Sequence, residues 1–416
     1  MTTAPGHVVV VGAGLGGLRT IERLRSEGYA GRVTLIGAET HPPYDRPPLS
    51  KQVLDGTWDP ERAILRGRPG LAELDVTARL GTTAVGLRGT TVLLDGDDSI
   101  TGDAVILATG AAARRLPDQP DDVLTLRTMD DVVALRRGFD SARSVIIVGA
   151  GFIGAEVAWA ARRRGMEVTV LEALPVPCAR VLGPEIGALA VRLFTEAGVD
   201  LRCGARIAGL KDGRTVELAD GTALSADVVL VGVGASPDLA WLDSDVVRAA
   251  DGLACDERGR VAGAPGVWAV GDAAAWWDAD AGVHRRSEHW TSTVDQATRA
   301  ACDILGAQPP PATPPYVWSD QFGLKIQVLG HTGAADEAVP LHGQGTRGGP
   351  VKGTVVGYFT DGALRGVVSF GAPALVMRYR ALIASGADRA TVLAQAERWQ
   401  QGSGAAQPET TEAQPK

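Results

Sequence analysis

The sequence is poor in cysteine. Four thiols, Cys178, Cys203, Cys255 and Cys302, serve 416 residues, and none precedes position 178. No C-x-x-C occurs, so the spacing of a structural metal site and of a dithiol redox motif is absent, and no metal is expected. A secretory leader is not visible either, because Met1–Val11 runs straight into a strand pattern. With thiols suited to a reducing compartment, the expected location is cytoplasmic. The one long apolar run, Val145–Ala161, carries Glu156 and regularly spaced glycines, which argues against a membrane span. The net charge of -8 means that the chain as a whole does not invite nucleic acid, and no such partner is expected.

Glycine, by contrast, is abundant at 53 residues, as many tight turns and close backbone contacts require. A chain of this length, 45% hydrophobic, is too long for one compact domain, and two or three are expected.

An internal echo organises the rest. His7–Gly17 reads HVVVVGAGLGG and Ser144–Gly154 reads SVIIVGAGFIG. Each is a β-branched run ending in G-x-G-x-x-G. Each is followed by a helix pattern, Leu18–Ser26 and Ala155–Arg164, and by a second β-branched run, Arg32–Ile36 and Glu167–Leu171. An acid stands near the end of each second run, Glu39 and Glu172. Two complete βαβ units in order are a far more specific signal than one glycine motif. Short apolar strands also recur, Asp103–Ala111 and Asp227–Ala235, and each would close a nucleotide-binding unit.

The chemistry follows from the spacing. In each motif the first glycine permits a tight turn. The second lets the backbone approach a pyrophosphate, and the third lets the helix pack closely. The helix N-terminus then faces the anion. Gly12, Gly14 and Gly17 suit FAD, with Glu39 placed for the adenosine ribose. Gly149, Gly151 and Gly154 suit NADH, because a carboxylate at Glu172 accepts from a 2′-hydroxyl and repels a 2′-phosphate. Asp272, in VWAVGDAAA, is expected at a strand-to-helix handover, either contacting the flavin ribityl chain or simply capping a helix. PYDRPPLSK, Pro43–Lys51, reads as a rigid extended loop. Its Lys51 is either a charge beside the flavin N5 edge or a surface lysine. Gln308–Pro315 reads as a linker, 316–370 as strand-rich, 372–400 as helical, and 402–416 as a disordered tail.

Together PYDRPPLSK, the paired glycine motifs, LRTMDD, VWAVGDAA, EHWTSTVDQA and WSDQFGLKIQVLG resemble the NADH-dependent ferredoxin reductases. These are flavoproteins that serve Rieske dioxygenases and haem-thiolate mono-oxygenases, and the group includes putidaredoxin and rubredoxin reductases. The resemblance implies an α/β fold with two Rossmann-like, glutathione-reductase-like domains plus a C-terminal α+β domain. The boundaries expected are 1–112 with 241–310 for FAD, 113–240 for NAD and 311–401 for the C-terminal domain. It implies that FAD contacts Gly12, Gly14, Leu15, Gly16, Gly17, Glu39, Arg46, Lys51, Ala84, Ala108, Arg127, Gly271, Asp272, Trp290 and Trp318. NADH is assigned to Gly149, Gly151, Phe152, Ile153, Gly154, Glu156, Glu172, Gly232, Val233 and Gly234. Lys51 and Glu156 are expected to tune flavin and nicotinamide without acting as obligatory acid or base. One departure is visible: many relatives carry an acid directly after the glycine that ends the second strand, where this chain has Ala38 and then Glu39.

Disulfide reductases of this fold need a cysteine pair near the flavin, and oxidase or peroxidase relatives need one cysteine. The lack of any cysteine before 178 removes both. The implied reaction is hydride transfer from NADH to flavin N5, then single-electron transfer to an iron–sulfur ferredoxin. An acidic ferredoxin would favour a basic rim, for which Arg66, Arg68, Arg285, Arg286 and Lys325 are candidates, though solvated surface charge is the first reading of any one of them. Rubredoxin, a quinone or a nitrite reductase subunit stand as alternative acceptors. An NADH-sensing role of the apoptosis-inducing-factor kind is the alternative of another class.

Overall fold

In the computed structural model, residues 4–242, 246–249, 252–333 and 335–403 are described. Most of the tail expected from 402 onward therefore lies outside the described residues. The chain forms two compact units: residues up to Pro177 with Phe194–Ala312, and Cys178–Leu193 with the residues from Thr313.

The first unit holds two parallel sheets. One is five-stranded, in the spatial order Val267–Ala269, Ala104–Leu107, His7–Val11, Arg32–Gly37, Val76–Leu80. The other is four-stranded, in the order Val228–Val231, Ser144–Val148, Glu167–Glu172, Asp200–Cys203. Both put the glycine-motif strand beside a crossover strand on one side and the closing strand on the other. The strands His7–Val11, Ala104–Leu107 and Val228–Val231 are buried along their whole length, which is why they read as continuous apolar runs rather than alternating ones. An antiparallel meander follows in each half, Ala84–Arg88 to Ser99–Thr101 and Ile207–Asp212 to Ala223–Ser225.

The helices after the glycine motifs start earlier than their apolar periodicity suggested. They span Leu15–Ser26 and Phe152–Arg163, because Gly14 and Gly151 are themselves the N-cap residues. LRTMDD is a helix start: the Thr128 hydroxyl accepts from the Asp131 N–H, and the Asp131 carboxylate accepts from the Thr128 N–H, closing a capping box on Met129–Ser141.

Two expectations are corrected. No helix follows Gly271–Asp272. A single 3-10 turn, Gly271–Ala273, leads into the strand Ala274–Asp278, which pairs with Val283–Arg286 and with Gly252–Cys255. Alanine's helix preference yields there to sheet pairing and to burial of Trp276. The alanine-rich helix comes later, at Trp290–Leu305, with Ala297, Ala300 and Ala301 fully buried on one face. The stretch 372–400 is likewise not one helix. Short helices Pro373–Val376 and Arg380–Ala384 precede Arg389–Ser403, and the break falls at Gly386, whose φ is +59°.

The second unit is a five-stranded antiparallel sheet, in the order Tyr316–Gln321, Leu324–Gly330, Ala363–Phe370, Thr354–Thr360, Glu337–His342. Helix Arg389–Ser403 covers it through Val392 and Ala396, against Leu329, Val355, Leu364 and Val367.

Candidate active site

The two glycine loops are built alike. Gly12 N–H donates to Ile36 O at 2.8 Å, and Gly149 N–H to Leu171 O at 2.7 Å. Gly12 has φ +116° and a Cβ there would stand 2.1 Å from Ala108 O. Gly149 has φ +105° and a Cβ there would stand 2.4 Å from Gly232 O. The third glycines are equally constrained: a Cβ on Gly17 or Gly154 would meet the carbonyl oxygen of Gly12 or Gly149 at 2.1 and 2.0 Å. Gly14 and Gly151 differ, since an added Cβ meets nothing within 4 Å. Packing does not demand glycine at those two positions, but an approaching phosphate does. Both are helix N-caps with no side-chain cap, so the first-turn amides stay available to an anion. This fits two dinucleotides. Leu15 and Gly16, and Phe152 and the exposed Ile153, form the first turns behind these caps.

Around the first loop the expected residues converge. Arg127 donates to Ala111 O at 2.9 Å and, through Nη2, to Asp272 Oδ2 at 2.5 Å. Gly271 N–H donates to the buried Gln296 Oε1 at 2.8 Å. Trp290 Nε1–H donates to Asp45 Oδ1 at 2.9 Å, tying PYDRPPLSK to the start of helix Trp290–Leu305. Burial raises the Asp45 pKa, countered by Trp290, Arg19 and Lys51. Burial likewise lowers the pKa of His289, which faces Glu288 and Asp272. Ala84 opens the strand Ala84–Arg88 and packs on the core of the first sheet. Trp318 belongs to the second unit, where it stacks on Tyr316 at 5.8 Å between ring centroids.

Lys51 is no surface lysine. Its ammonium lies 2.9 Å from both carboxylate oxygens of Glu156, and the two side chains are 11% and 2% exposed. Pro47 O accepts from the same ammonium at 3.2 Å, and the Ser50 hydroxyl also donates to Glu156. The loop that follows the first βαβ unit and the helix of the second therefore meet at one buried ion pair. Such a pair, completed by extra hydrogen bonds, is strongly destabilised when one partner is lost.

At the second loop, Glu172 accepts from Ala150 N–H at 2.7 Å and from Leu174 N–H at 2.8 Å, which fixes its carboxylate over the glycine turn. The three arginines upstream of it in sequence are engaged elsewhere. Arg162 donates to Ala197 O and Met166 O, Arg163 to Asp55, and Arg164 to Leu54 O. Gly232 N–H donates to Val148 O at 2.7 Å, Val233 follows it, and Gly234 O accepts from Arg114 N–H at 2.9 Å. Of the basic-rim candidates, Arg66 pairs with Glu22, Arg285 with Asp278, Arg286 with Glu288 and Lys325 with Asp320. Arg68 donates to Thr40 O at 3.5 Å. Each acid beside a candidate cation reduces the positive field it offers a partner.

Ser50, Tyr44 and Asp45 were not singled out from the sequence, although all lie in PYDRPPLSK. Gln296 lies in EHWTSTVDQA. The motifs contained them; their partners are distant in sequence. Among the described residues no cluster of acids, histidines and cysteines could hold a metal. No helix among them is long and apolar enough to cross a membrane.

Residues 6–297 match the family described as "Pyridine nucleotide-disulphide oxidoreductase" and residues 316–398 match "Reductase C-terminal". The chain belongs to this family. It is 37% identical, over 88% of its length and 90% of the relative's, to the ferredoxin reductase component of chlorobenzene dioxygenase from Cupriavidus sp. (strain PS12). It is 35% identical, with the same coverage, to the ferredoxin--NAD(+) reductase subunit of the benzene 1,2-dioxygenase system of Pseudomonas putida. Its fold superposes on the reductase of a covalent putidaredoxin reductase–putidaredoxin complex with a TM-score of 0.88 at 26% identity, covering 97% of this chain and 100% of that one. The family's name refers to disulphide chemistry; here no cysteine precedes 178 and no disulfide joins the four present.

Proposed function

We propose that this protein is the NADH-dependent flavoprotein reductase of an oxygenase system, delivering electrons to an iron–sulfur ferredoxin. The observation that carries the reading is the pair of open, uncapped glycine cradles in one compact unit, bridged by the buried Lys51–Glu156 pair. FAD, when bound, supplies the chemistry: it takes an electron pair as hydride and returns electrons singly. The chain's own residues bind and orient. Gly12, Gly14 and Gly17 with Glu39 hold FAD at one end, and Arg127, Asp272 and Trp290 at the other. Gly149, Gly151, Gly154 and Glu172 hold NADH. Lys51 keeps a positive charge near the flavin, and Glu156 fixes that ammonium in place. In this reading residues 1–112 and 241–310 form the FAD domain, 113–240 the NAD domain, and 311–401 the C-terminal domain, to which Trp318 belongs. A cytoplasmic location belongs to the same reading; no disulfide joins the four cysteines.

The test mixes the purified protein with NADH and cytochrome c, with and without the purified [2Fe–2S] ferredoxin of a dioxygenase system. Rapid cytochrome reduction only when the ferredoxin is present is the expected result. Flavin that reduces slowly and then persists reduced whatever is added would support a sensor role instead. A second expected result concerns the nucleotide. Glu172→Ala narrows the preference for NADH over NADPH about tenfold, the order of one lost charge-assisted hydrogen bond. An unchanged ratio of kcat/KM values removes Glu172 from that role.

A further inference from the structure

Gly37 occupies in the first βαβ unit the place that Glu172 occupies in the second. The strand registers give the equivalence. Val11 pairs with Ile36 and Val148 pairs with Leu171, so the next residues are Gly37 and Glu172. No side chain fits at Gly37, where a Cβ would stand 2.5 Å from the Ala13 Cβ. Glu172 reaches its own glycine loop directly from the strand end, accepting from Ala150 N–H. The first unit must instead bring a carboxylate from the loop beyond its strand, which ends at Gly37, and Glu39 is the acid there.

An acid on a loop needs holding, and Glu39 is held through both oxygens. The Tyr44 hydroxyl donates to Oε2 at 2.6 Å, and Arg46 Nη2 donates to Oε1 at 3.0 Å. The direction of the tyrosine bond is fixed by its other partners. Arg46 Nη1 and the Met129 N–H both donate to the phenol oxygen at 3.1 Å, so its single proton goes to Glu39. Tyr44 is 5% exposed, and burial holds its hydroxyl protonated. The brace is anchored beyond the loop, because Met129 opens helix Met129–Ser141 and Arg46 also donates to Arg127 O at 2.5 Å. Each Glu39 oxygen retains a second lone-pair direction for a ribose hydroxyl.

We propose that Tyr44 is a positioning residue of the FAD site, which with Arg46 aims the Glu39 carboxylate at the adenosine ribose. It supplies from outside the strand what strand-end placement gives Glu172. The proposal rests on the reading of Glu39 as the ribose-binding acid.

The test titrates the full-length protein, stripped of flavin, with FAD and with FMN, which lacks the adenosine half. Wild type, Tyr44→Phe, Glu39→Ala and the double variant are compared by flavin fluorescence. Tyr44→Phe weakens FAD about tenfold, leaves FMN unchanged, and adds nothing in the Glu39→Ala background. If Glu39→Ala leaves FAD affinity unchanged, the reading of Glu39 itself is lost. If Glu39→Ala weakens FAD but Tyr44→Phe spares it, weakens FMN equally, or adds its full effect to Glu39→Ala, the brace is lost and the underlying reading stands. Should Tyr44→Phe melt far below wild type, the same titrations are run well below its melting temperature, where the folded protein reports its own affinity for FAD and for FMN.

Discussion

Gly151→Ala is expected to weaken NADH binding about 10- to 100-fold while leaving the melting temperature close to that of wild type. The protein itself has room for the methyl group, since nothing lies within 4 Å of its position and the backbone there, φ -74° and ψ -172°, suits any residue. The gain of about 0.4–1 kcal/mol from a less flexible unfolded chain offsets alanine's poorer capping of the helix. The nucleotide lacks that room. A methyl group between the helix start and a pyrophosphate acts as overpacking, worth about 1–3 kcal/mol, and each 1.4 kcal/mol is tenfold in affinity. Gly14→Ala should do the same for FAD. The contrast with Gly154→Ala is the control. There the methyl would stand 2.0 Å from Gly149 O, so stability itself falls. Thermal melts together with NADH and FAD titrations separate the cases. Wild-type NADH affinity in Gly151→Ala would mean that the second cradle does not hold a pyrophosphate.

Much of this was legible in the sequence, for physical reasons. Strands buried on both faces must be apolar throughout, so the parallel sheets announced themselves as HVVVV and SVIIV. The glycine spacing is rigid because backbone meets backbone there. Other features depend on pairing partners that a linear reading does not supply. Ala273–Ala275 looks helical until the strands Gly252–Cys255 and Val283–Arg286 are seen on either side. Arg285 and Lys325 look like unpaired surface charge until Asp278 and Asp320 appear beside them. The offset between the two acids was visible as Ala38 followed by Glu39. Its cause, the lack of space at Gly37, and its remedy through Tyr44 needed the strand register and the loop geometry.

Lys51→Met is expected to slow flavin reduction by NADH at least about tenfold and to lower stability by about 3 kcal/mol. The two losses have different origins. Stability falls because Glu156, whose side chain is 2% exposed, loses its counterion. Reduction slows, in the proposed function, because a fixed positive charge beside the flavin is gone when negative charge develops on it. A triple variant, Lys51→Met with Glu156→Leu and Ser50→Ala, separates them. Replacing a buried ion pair by apolar groups of similar volume is often neutral or stabilising. The alanine removes a hydroxyl that would otherwise be stranded. Stability should therefore return to near wild type, while stopped-flow flavin reduction at saturating NADH stays slow. Recovery of the rate along with the stability would make the pair a purely structural bridge between the two nucleotide units. Slow reduction in a well-folded triple variant would give the Lys51–Glu156 pair a part in the reaction beyond bridging the fold.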